Sequence, residues 1–373
     1  MEHEDNNKSG NGIVWDLPIR LFHWMLVLTI TAAWMTTSTL YYETHLSAGY
    51  LLLLLLLFRT VWGFMGGTYA RFRHFAHPWP AVRQHLLELM QGRSSHTVGH
   101  NPAGGWMIFL LLGTLLLISI SGLLTLGGEE QTGPLNGWVS IASGALMHQL
   151  HETLAWFLIS LIPIHLAGGA IERWLSKRKL VQAMITGSYT HLRTRSTEHG
   201  VGWVSGILLT TPAFALWFSS AEPNPVALYS NSAWESDPRY SHWQEECSGC
   251  HTLHHPSLLP SRSWKRVMAQ QENHFEEDLA LDEEPLQQIT QFLIRYSAEQ
   301  AYSEAAWKID HSIEAGHAPL RITDTRYWRN RHHEIDEQIW LLPSVGGKIH
   351  CDGCHQDAAA GSFQDQAISL PGI

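Results

Sequence analysis

The sequence predicts an all-α protein in which a transmembrane helix bundle is joined to a mostly helical, loop-rich soluble domain. Residues 1–221 are nearly neutral, with 13 Lys and Arg against 11 Asp and Glu, whereas residues 222–373 carry 11 against 23. Long uncharged runs lie in the first part, and all four cysteines lie in the second. The mean hydropathy of -0.09 averages these two parts and so conceals a membrane domain.

Five apolar runs are each long enough to cross a hydrocarbon core of about 30 Å. We predict spans at Leu21–Leu40, Leu46–Gly66, Gly104–Leu126, Leu154–Ile171 and Val201–Ala221. The first run is predicted to be a span and not a signal peptide, because a long polar stretch precedes it and no small-residue cleavage site follows it. The predicted domains are a four-span membrane domain at 1–198, a fifth span at 199–221, a proline-containing linker at 222–241 and a soluble domain at 242–373.

The distribution of cations between the loops predicts the orientation in the membrane. The segments before Leu21, between Gly66 and Gly104, and between Ile171 and Val201 hold 12 Lys and Arg, whereas the loops 41–45 and 127–153 hold none. The positive-inside rule places the N-terminus in the cytoplasm. Five spans then place the soluble domain on the opposite side of the membrane.

All four cysteines belong to two C-x-x-C-H pentapeptides, Cys247–His251 and Cys351–His355. This pattern indicates covalently attached c-type haem, since two thiols add to the haem vinyl groups and the following histidine reaches the iron. A zinc site would not require a histidine directly after the second cysteine in both copies. In c-type cytochromes, which the motifs resemble, attachment takes place outside the bacterial cytoplasm. The resemblance therefore implies a bacterial inner-membrane protein with its soluble domain in the periplasm, in agreement with the predicted orientation. The predicted attachment residues are Cys247, Cys250, Cys351 and Cys354, and the predicted proximal iron ligands are His251 and His355.

Four histidines lie within or beside the predicted spans: His23, His45, His151 and His165. Ionisable side chains are costly in a bilayer and indicate a functional site. His151 and His165 are 14 residues apart, a rise of about 21 Å with a rotation about 40° short of four turns, so they face the same way at two depths. In the predicted orientation His45 matches His151 in depth and His23 matches His165. Two such pairs can each hold one haem b within a four-helix core. The alternatives are ordinary interfacial histidines, and His148 in place of His151.

This half resembles the bacterial cytochrome b561 type of di-haem membrane cytochrome, which includes the b subunits of membrane-bound hydrogenases. The resemblance runs from about Val14 to Tyr189 and rests on four segments: Val14–Trp24, Phe58–Phe64, Gly99–Trp106, and His151–Trp156 followed by His165. It implies two non-covalent haem b with ligands at His23, His45, His151 and His165, and electron exchange with membrane quinone. Arg20 and Arg59 are candidates to pair with the propionates of the cytoplasmic haem, although Arg20 could equally be an interface anchor.

The soluble domain is similar to a second family, the di-haem cytochrome c found alongside the oxygen-binding sphaeroides haem protein in some bacteria. The match covers about Trp243 to Ile373, with both C-x-x-C-H motifs and the segment Tyr327–His332. The spacing fixes no sixth iron ligand. From the resemblance, and because low-spin electron carriers prefer two strong axial ligands, we expect His274 and His332 to be distal ligands, with His274 on a helix that begins near Ser261. The alternative distal ligands are His254, His255, His311, His317, His333 and His350.

Together the two resemblances imply a membrane-bound tetra-haem protein that relays electrons between membrane quinone or quinol and a periplasmic partner. That partner would be a small c-type cytochrome or an acceptor like the sphaeroides haem protein. The surplus of 12 negative charges on the soluble half favours a basic partner, or serves only solubility.

Whether the chain is an enzyme stays open, with quinol:cytochrome c oxidoreductase activity as one reading. Two further alternatives are a periplasmic haem enzyme or ligand-binding protein with an open c-haem site, and a membrane anchor subunit of a larger dehydrogenase complex. No dinucleotide-binding fingerprint, P-loop or protease constellation is present, and nothing indicates binding of nucleic acid.

Overall fold

The computed structural model describes residues 12–37, 41–93, 99–176, 180–189, 201–220 and 234–371. Within these ranges the chain is mostly helical, as predicted, and its only sheet is an antiparallel pair of two-residue strands, β1 (Gly12–Ile13) and β2 (Ser188–Tyr189). Two compact units are present. The first comprises Met1–Thr37, Glu43–Gly122 and Met147–Ala221, and the second comprises Ser38–Tyr42, Leu123–Leu146 and Glu222–Ile373.

The N-terminal half is built from long apolar helices. Four of them are long and apolar enough to cross a membrane: α1 (Leu17–Met35), α2 (Tyr42–Met65), α4 (Pro102–Gly128) and α5 (Ile141–Ser176). The chain is therefore a membrane protein. The remaining helices are α3 (Trp79–Met90), α6 (Leu180–Thr186) and α7 (Val201–Ser220), with 3-10 turns at Thr68–Ala70 and Phe72–His74. In α7, the predicted fifth span, the apolar stretch among the described residues is shorter, at Val204–Phe218.

Helix α1 begins where a capping residue ends the preceding extended segment. Asp16 is the N-cap, and its carboxylate accepts a hydrogen bond from the Ile19 backbone N–H at 3.0 Å. The Trp62 indole donates to the same carboxylate at 3.2 Å, which ties α2 to the start of α1. Pro18 lies in the first turn, where a missing N–H costs no helical hydrogen bond.

The bundle is held together by leucine-rich packing. Leu52 and Leu56 of α2 pack with Leu115 and Ile118 of α4 and with Leu158 of α5. A second cluster joins α1, α2 and α7 through Phe22, Leu55 and Leu208. Helix α5 is longer than the predicted span 154–171, so that His151 and His165 lie on one continuous helix.

The C-terminal module consists of short helices joined by tight turns. Its helices are α8 (Tyr240–Cys247), α9 (Ser261–Ala269), α10 (Glu283–Arg295), α11 (Glu304–Ser312), α12 (Arg326–His332) and α13 (Glu337–Trp340). The 3-10 turns are Pro256–Leu258, Gln271–Asn273, Ala298–Gln300, Ile322–Asp324, Cys351–Gly353, Ala358–Ala360 and Asp365–Ala367.

An aromatic core organises this module. Phe292, which is fully buried, lies 5.2 Å from the Trp243 ring centroid, and Trp234 lies 5.6 Å from Trp243. Trp234 falls within the segment predicted as a linker, so the end of that segment packs into the module. Residues 222–233 of the predicted linker lie outside the described residues.

The helix that begins at Ser261 does not reach His274, contrary to the sequence-based expectation. Helix α9 ends at Ala269, and His274 follows a 3-10 turn and pairs with Glu277 in an isolated bridge. Phe275 and Glu276 have φ values of 55° and 80°, which are incompatible with a right-handed helix. The start of α9 is capped not by the Ser261 hydroxyl but by a carboxylate, since Glu299 accepts from the Ser261 N–H at 2.9 Å.

Candidate functional site

His45 of α2 and His151 of α5 face each other in the first unit. Their ring centroids are 6.2 Å apart with an interplanar angle of 70°. The Nδ1 of His45 lies 2.9 Å from the Ala33 carbonyl, and the Nδ1 of His151 lies 2.9 Å from the Ile118 carbonyl. Because a carbonyl can only accept, each Nδ1 carries the proton and each Nε2 keeps the lone pair that binds a metal.

The spacing of this pair fits a haem iron between the two rings. Two metal–nitrogen bonds of about 2 Å, with about 1.1 Å from each bonding nitrogen to its ring centre, would separate the centroids of two imidazoles on one iron by about 6.2 Å. A glycine stands beside the pair, and a Cβ at Gly122 would lie 3.1 Å from Cε1 of His151. The residues at this site therefore fit a six-coordinate haem.

His23 of α1 and His165 of α5 belong to the same unit and interact electrostatically. Nδ1 of His23 is buried with no hydrogen-bond partner among the described residues, and the Trp24 ring meets the His23 ring edge-on at 5.3 Å. As at His45 and His151, Nε2 would be the nitrogen that binds an iron.

Arg59 and Arg20 differ in their surroundings. Arg59 is 5% exposed, its Nη1 makes no hydrogen bond with the part of the chain that the structure describes, and its guanidinium lies 4.5 Å from the Phe72 ring centroid. A buried guanidinium with a free donor fits a propionate carboxylate. Arg20 donates through Nη1 to the Ile185 carbonyl, although its Nε is also unpartnered.

The sequence indicates no role for His100, although this residue lies in the segment Gly99–Trp106. Its ring lies 4.4 Å from that of Trp15 and 4.9 Å from that of Phe75. Burial, followed by the charges of Arg59 and His165, lowers the pKa of His100 to about 3. His100 is thus a neutral imidazole close enough to His165 to be affected by its charge. Only the three-dimensional structure shows this proximity.

In the C-terminal module, each histidine that follows a cysteine pair is opposed by one of the two expected distal histidines. His251 and His274 have ring centroids 6.5 Å apart at an interplanar angle of 26°. His355 and His332 have centroids 6.2 Å apart at 59°. Both distances match that expected for two axial ligands of one iron.

The surroundings of these rings favour the same arrangement. Nδ1 of His251 lies 2.6 Å from the Thr252 carbonyl, and Nδ1 of His332 lies 2.8 Å from the Trp328 carbonyl, which leaves Nε2 of each for a metal. The Trp328 ring stacks on His332 at 4.5 Å. A cavity of about 300 Å³ borders His274. Cys247, Cys250, Cys351 and Cys354 are all free thiols, as thioether formation requires.

Several of the alternative distal ligands are engaged elsewhere. His254 stacks against His251 at 4.9 Å, too close for a haem to lie between the rings. His255 contacts Ser257 through Nδ1 at 2.7 Å and packs edge-on against Trp234. His311 is exposed, and Nε2 of His333, the nitrogen that would bind iron, lies 3.6 Å from the Glu334 carboxylate.

Comparison with protein families agrees with this division of the chain. Residues 14–187 match the family model of prokaryotic cytochrome b561, and residues 243–363 match that of dihaem cytochrome c. The chain, called the fusion from here on, thus joins a segment similar to cytochrome b561 to a segment similar to dihaem cytochrome c. The two segments support a haem-based electron-transfer protein and imply both haem b and haem c.

Individual relatives cover one half of the fusion each. The probable Ni/Fe-hydrogenase B-type cytochrome subunit of Azotobacter vinelandii is 26% identical over 211 residues, which cover 47% of this chain and 86% of the relative. The diheme cytochrome c from Rhodobacter sphaeroides is 31% identical, with 33% of this chain and 95% of that chain covered and a TM-score of 0.29. The diheme cytochrome type c from Shewanella baltica OS155 is 25% identical, with 37% of this chain and 97% of that chain covered and a TM-score of 0.29.

Proposed function

We propose that the fusion relays electrons through four haems, two haem b in the membrane half and two haem c in the C-terminal module, between membrane quinone and a periplasmic redox partner. The observation that carries the proposal is that one separation between histidine rings recurs in both halves of the chain. Three pairs of histidines oppose each other with ring centroids 6.2–6.5 Å apart, one pair in the b561 half and two in the dihaem module.

Each haem has a proposed set of residues. His45 with His151, and His23 with His165, would hold the two haem b, with Arg59 and Arg20 as candidates for the propionates. Cys247 and Cys250 would attach one haem c, with His251 and His274 as axial ligands. Cys351 and Cys354 would attach the other, with His355 and His332. Bound haem supplies one-electron redox chemistry, and the protein supplies axial ligands, orientation and exclusion of other ligands.

Two strong axial ligands on every iron suit a relay better than catalysis. An iron of this kind exchanges electrons without changing its ligands and leaves no position open for substrate. The proposal therefore favours electron transfer over a periplasmic enzyme that reduces a small oxidant.

We further propose five spans, with the N-terminus in the cytoplasm and the dihaem module in the periplasm. The asymmetry of 12 cations against none between the two sets of loops supports this orientation. The surplus of 12 negative charges on residues 222–373 supports a basic partner such as a small c-type cytochrome or a sphaeroides-haem-protein-like acceptor. The rate of electron exchange with that partner should fall as ionic strength rises, whereas a rate insensitive to salt contradicts the steering.

Quinol-driven reduction tests the relay. A water-soluble quinol added to the purified fusion in detergent should reduce the haem b and then the haem c. In a variant with both His151→Leu and His165→Leu, the quinol should no longer reduce haem c, although dithionite still should. Undiminished quinol reduction of haem c in that variant contradicts passage through the membrane haems.

A second candidate function is that of a subunit in a larger complex. The hydrogenase relatives are themselves subunits, which favours a partner enzyme that delivers electrons to the b561 half. Purification in mild detergent tests this, since a stoichiometric partner should remain bound at moderate salt. A monodisperse fusion that accepts electrons from quinol alone favours the relay.

A further inference from the structure

The loop between α4 and α5 begins with four consecutive polar residues that are buried. Glu129, Glu130, Gln131 and Thr132 are 2%, 6%, 7% and 2% exposed. Connecting segments normally run over the surface, because buried loops carry polar groups that are difficult to satisfy. Later in the same loop Trp138 is 86% exposed. The burial is therefore confined to Glu129–Thr132.

Residues of the C-terminal module contact the first two of these positions within the second compact unit. Lys308 Nζ lies 2.9 Å from Glu129 Oε1, and the Glu129 side chain is 1% exposed. Gln364 Nε2 donates to the Glu130 carbonyl at 2.8 Å. The Tyr42 side chain, at the start of α2, hydrogen-bonds to Gln366.

The backbone holds this segment in one geometry. Gln131 has a φ of 52°, a value that costs free energy in a non-glycine residue and persists only when neighbouring contacts impose it. At the two ends of the loop, Gly128 and Gly144 pass so closely that a Cβ at Gly144 would lie 2.5 Å from the Glu129 nitrogen. Only glycine permits that approach.

The charged groups around Glu129 and Glu130 include both signs, but carboxylates predominate. Lys308 also lies 2.6 Å from Glu304, so one ammonium serves two carboxylates. The Glu130 carboxyl has an Oε2 with no hydrogen-bond partner among the described residues, and its charged neighbours are Glu304, Asp365, Glu129 and Lys308. Burial first, and the neighbouring carboxylates second, raise the pKa of Glu130 well above its ordinary value. Both causes favour the neutral form of this carboxyl.

We propose that Glu129–Thr132 is a docking element, which holds the dihaem module through Lys308 and Gln364 and so fixes the module to the membrane half at a point distinct from the linker. The segment is covalently continuous with α4 and α5, which are two membrane helices. The segment that matches the dihaem cytochrome c family model runs from residue 243 to residue 363, and Glu129–Thr132 lies outside it. The docking element is therefore a property of the fusion.

Two consequences follow. The module should stay bound when the linker is cut. Electron transfer from haem b to haem c, which rests on the proposed relay, should be intramolecular and independent of protein concentration. Retention of the module is measured without electron flow, so its outcome is separate from that of the relay.

The experiment uses the full chain with a specific protease site introduced at residue 225. After complete cleavage in detergent, the haem c fragment should co-purify with the membrane fragment during size-exclusion chromatography. Glu129→Lys places two ammonium groups against each other in a buried site and should weaken retention by about 100-fold or more. The exchange variant, Glu129→Lys with Lys308→Glu, restores opposite charges and should recover retention.

Glu337→Lys is the matched control, because Glu337 pairs with Lys348 at 2.9 Å on an exposed surface of the same module. It should leave retention unchanged. An unaltered haem c spectrum in the Glu129→Lys variant shows that the module itself is folded. Release of the module from the nicked wild type, or full retention in the Glu129→Lys variant, overturns the proposal.

Discussion

Removal of a distal histidine should open one coordination position, and carbon monoxide should then bind there. We expect the His332→Ala variant to bind one carbon monoxide per chain after reduction, and the wild type to bind none. The ring of His332 lies 6.2 Å from that of His355, the separation expected for two ligands of one iron. No other imidazole among the described residues is seen to oppose His355 in this way.

The expected magnitude is the number of carbon monoxide molecules bound per chain. His274→Ala should likewise add one site, and the double variant should add two, because the pairs are separate. Carbon monoxide titration of the reduced protein, followed in the Soret band, measures each value. His333→Ala is the matched control, since His333 is adjacent to His332 but its side chain is 68% exposed and its Nε2 lies 3.6 Å from the Glu334 carboxylate.

Two results would refute the reasoning. Rapid stoichiometric binding of carbon monoxide by the wild type would show an open haem and favour a ligand-binding or catalytic role. Absence of binding in both alanine variants would assign the distal positions to other residues. A six-coordinate wild type with one new site in each variant supports the ligand set.

Three further predictions concern a haem b ligand, the docking element and the core of the module. His151→Leu should lower the haem b content from two to one per chain and leave haem c unchanged, as measured by pyridine haemochrome spectra. The pKa of Glu130 is raised in the docked state, so this residue stabilises docking fully below about 4.3, the ordinary pKa of a glutamic acid. The stabilisation is lost as the pH rises through the raised pKa of the docked state. Glu130→Gln should abolish this contribution to the pH dependence, and retention of the nicked module measured across a pH series tests it. Phe292→Ala should lower the free energy of unfolding of the module by about 3–5 kcal/mol, because the ring is fully buried; guanidinium titration followed by Soret circular dichroism tests it, with the exposed Tyr302→Ala as control.

The helical class of both halves was readable from the sequence because each signal is local. Uncharged runs fix membrane helices, and the two C-x-x-C-H pentapeptides fix the haem c family without reference to distant residues. Pairing of histidines by depth needed only helix geometry, and His45 and His151 do oppose each other. The assignment of these residues as iron ligands stays a prediction.

What the sequence did not reveal depends on contacts between distant segments. His100 is enclosed by Trp15 and Phe75, which no local pattern indicates. The expected helix to His274 ends at Ala269 and is followed by a 3-10 turn at Gln271–Asn273, a change of backbone geometry that no local pattern indicates. Burial of Glu129 by Lys308 joins residues 179 positions apart, and a Gly-Gly-Glu-Glu sequence by itself predicts an exposed turn.

The most direct test of the account is the number of haems of each type per polypeptide in the purified wild type. Pyridine haemochrome spectra, calibrated by quantitative amino-acid analysis, should give two haem b extractable by acid acetone and two haem c that stay with the protein. A preparation of intact chain without a b component, or with fewer than two covalently bound haems, would contradict the account.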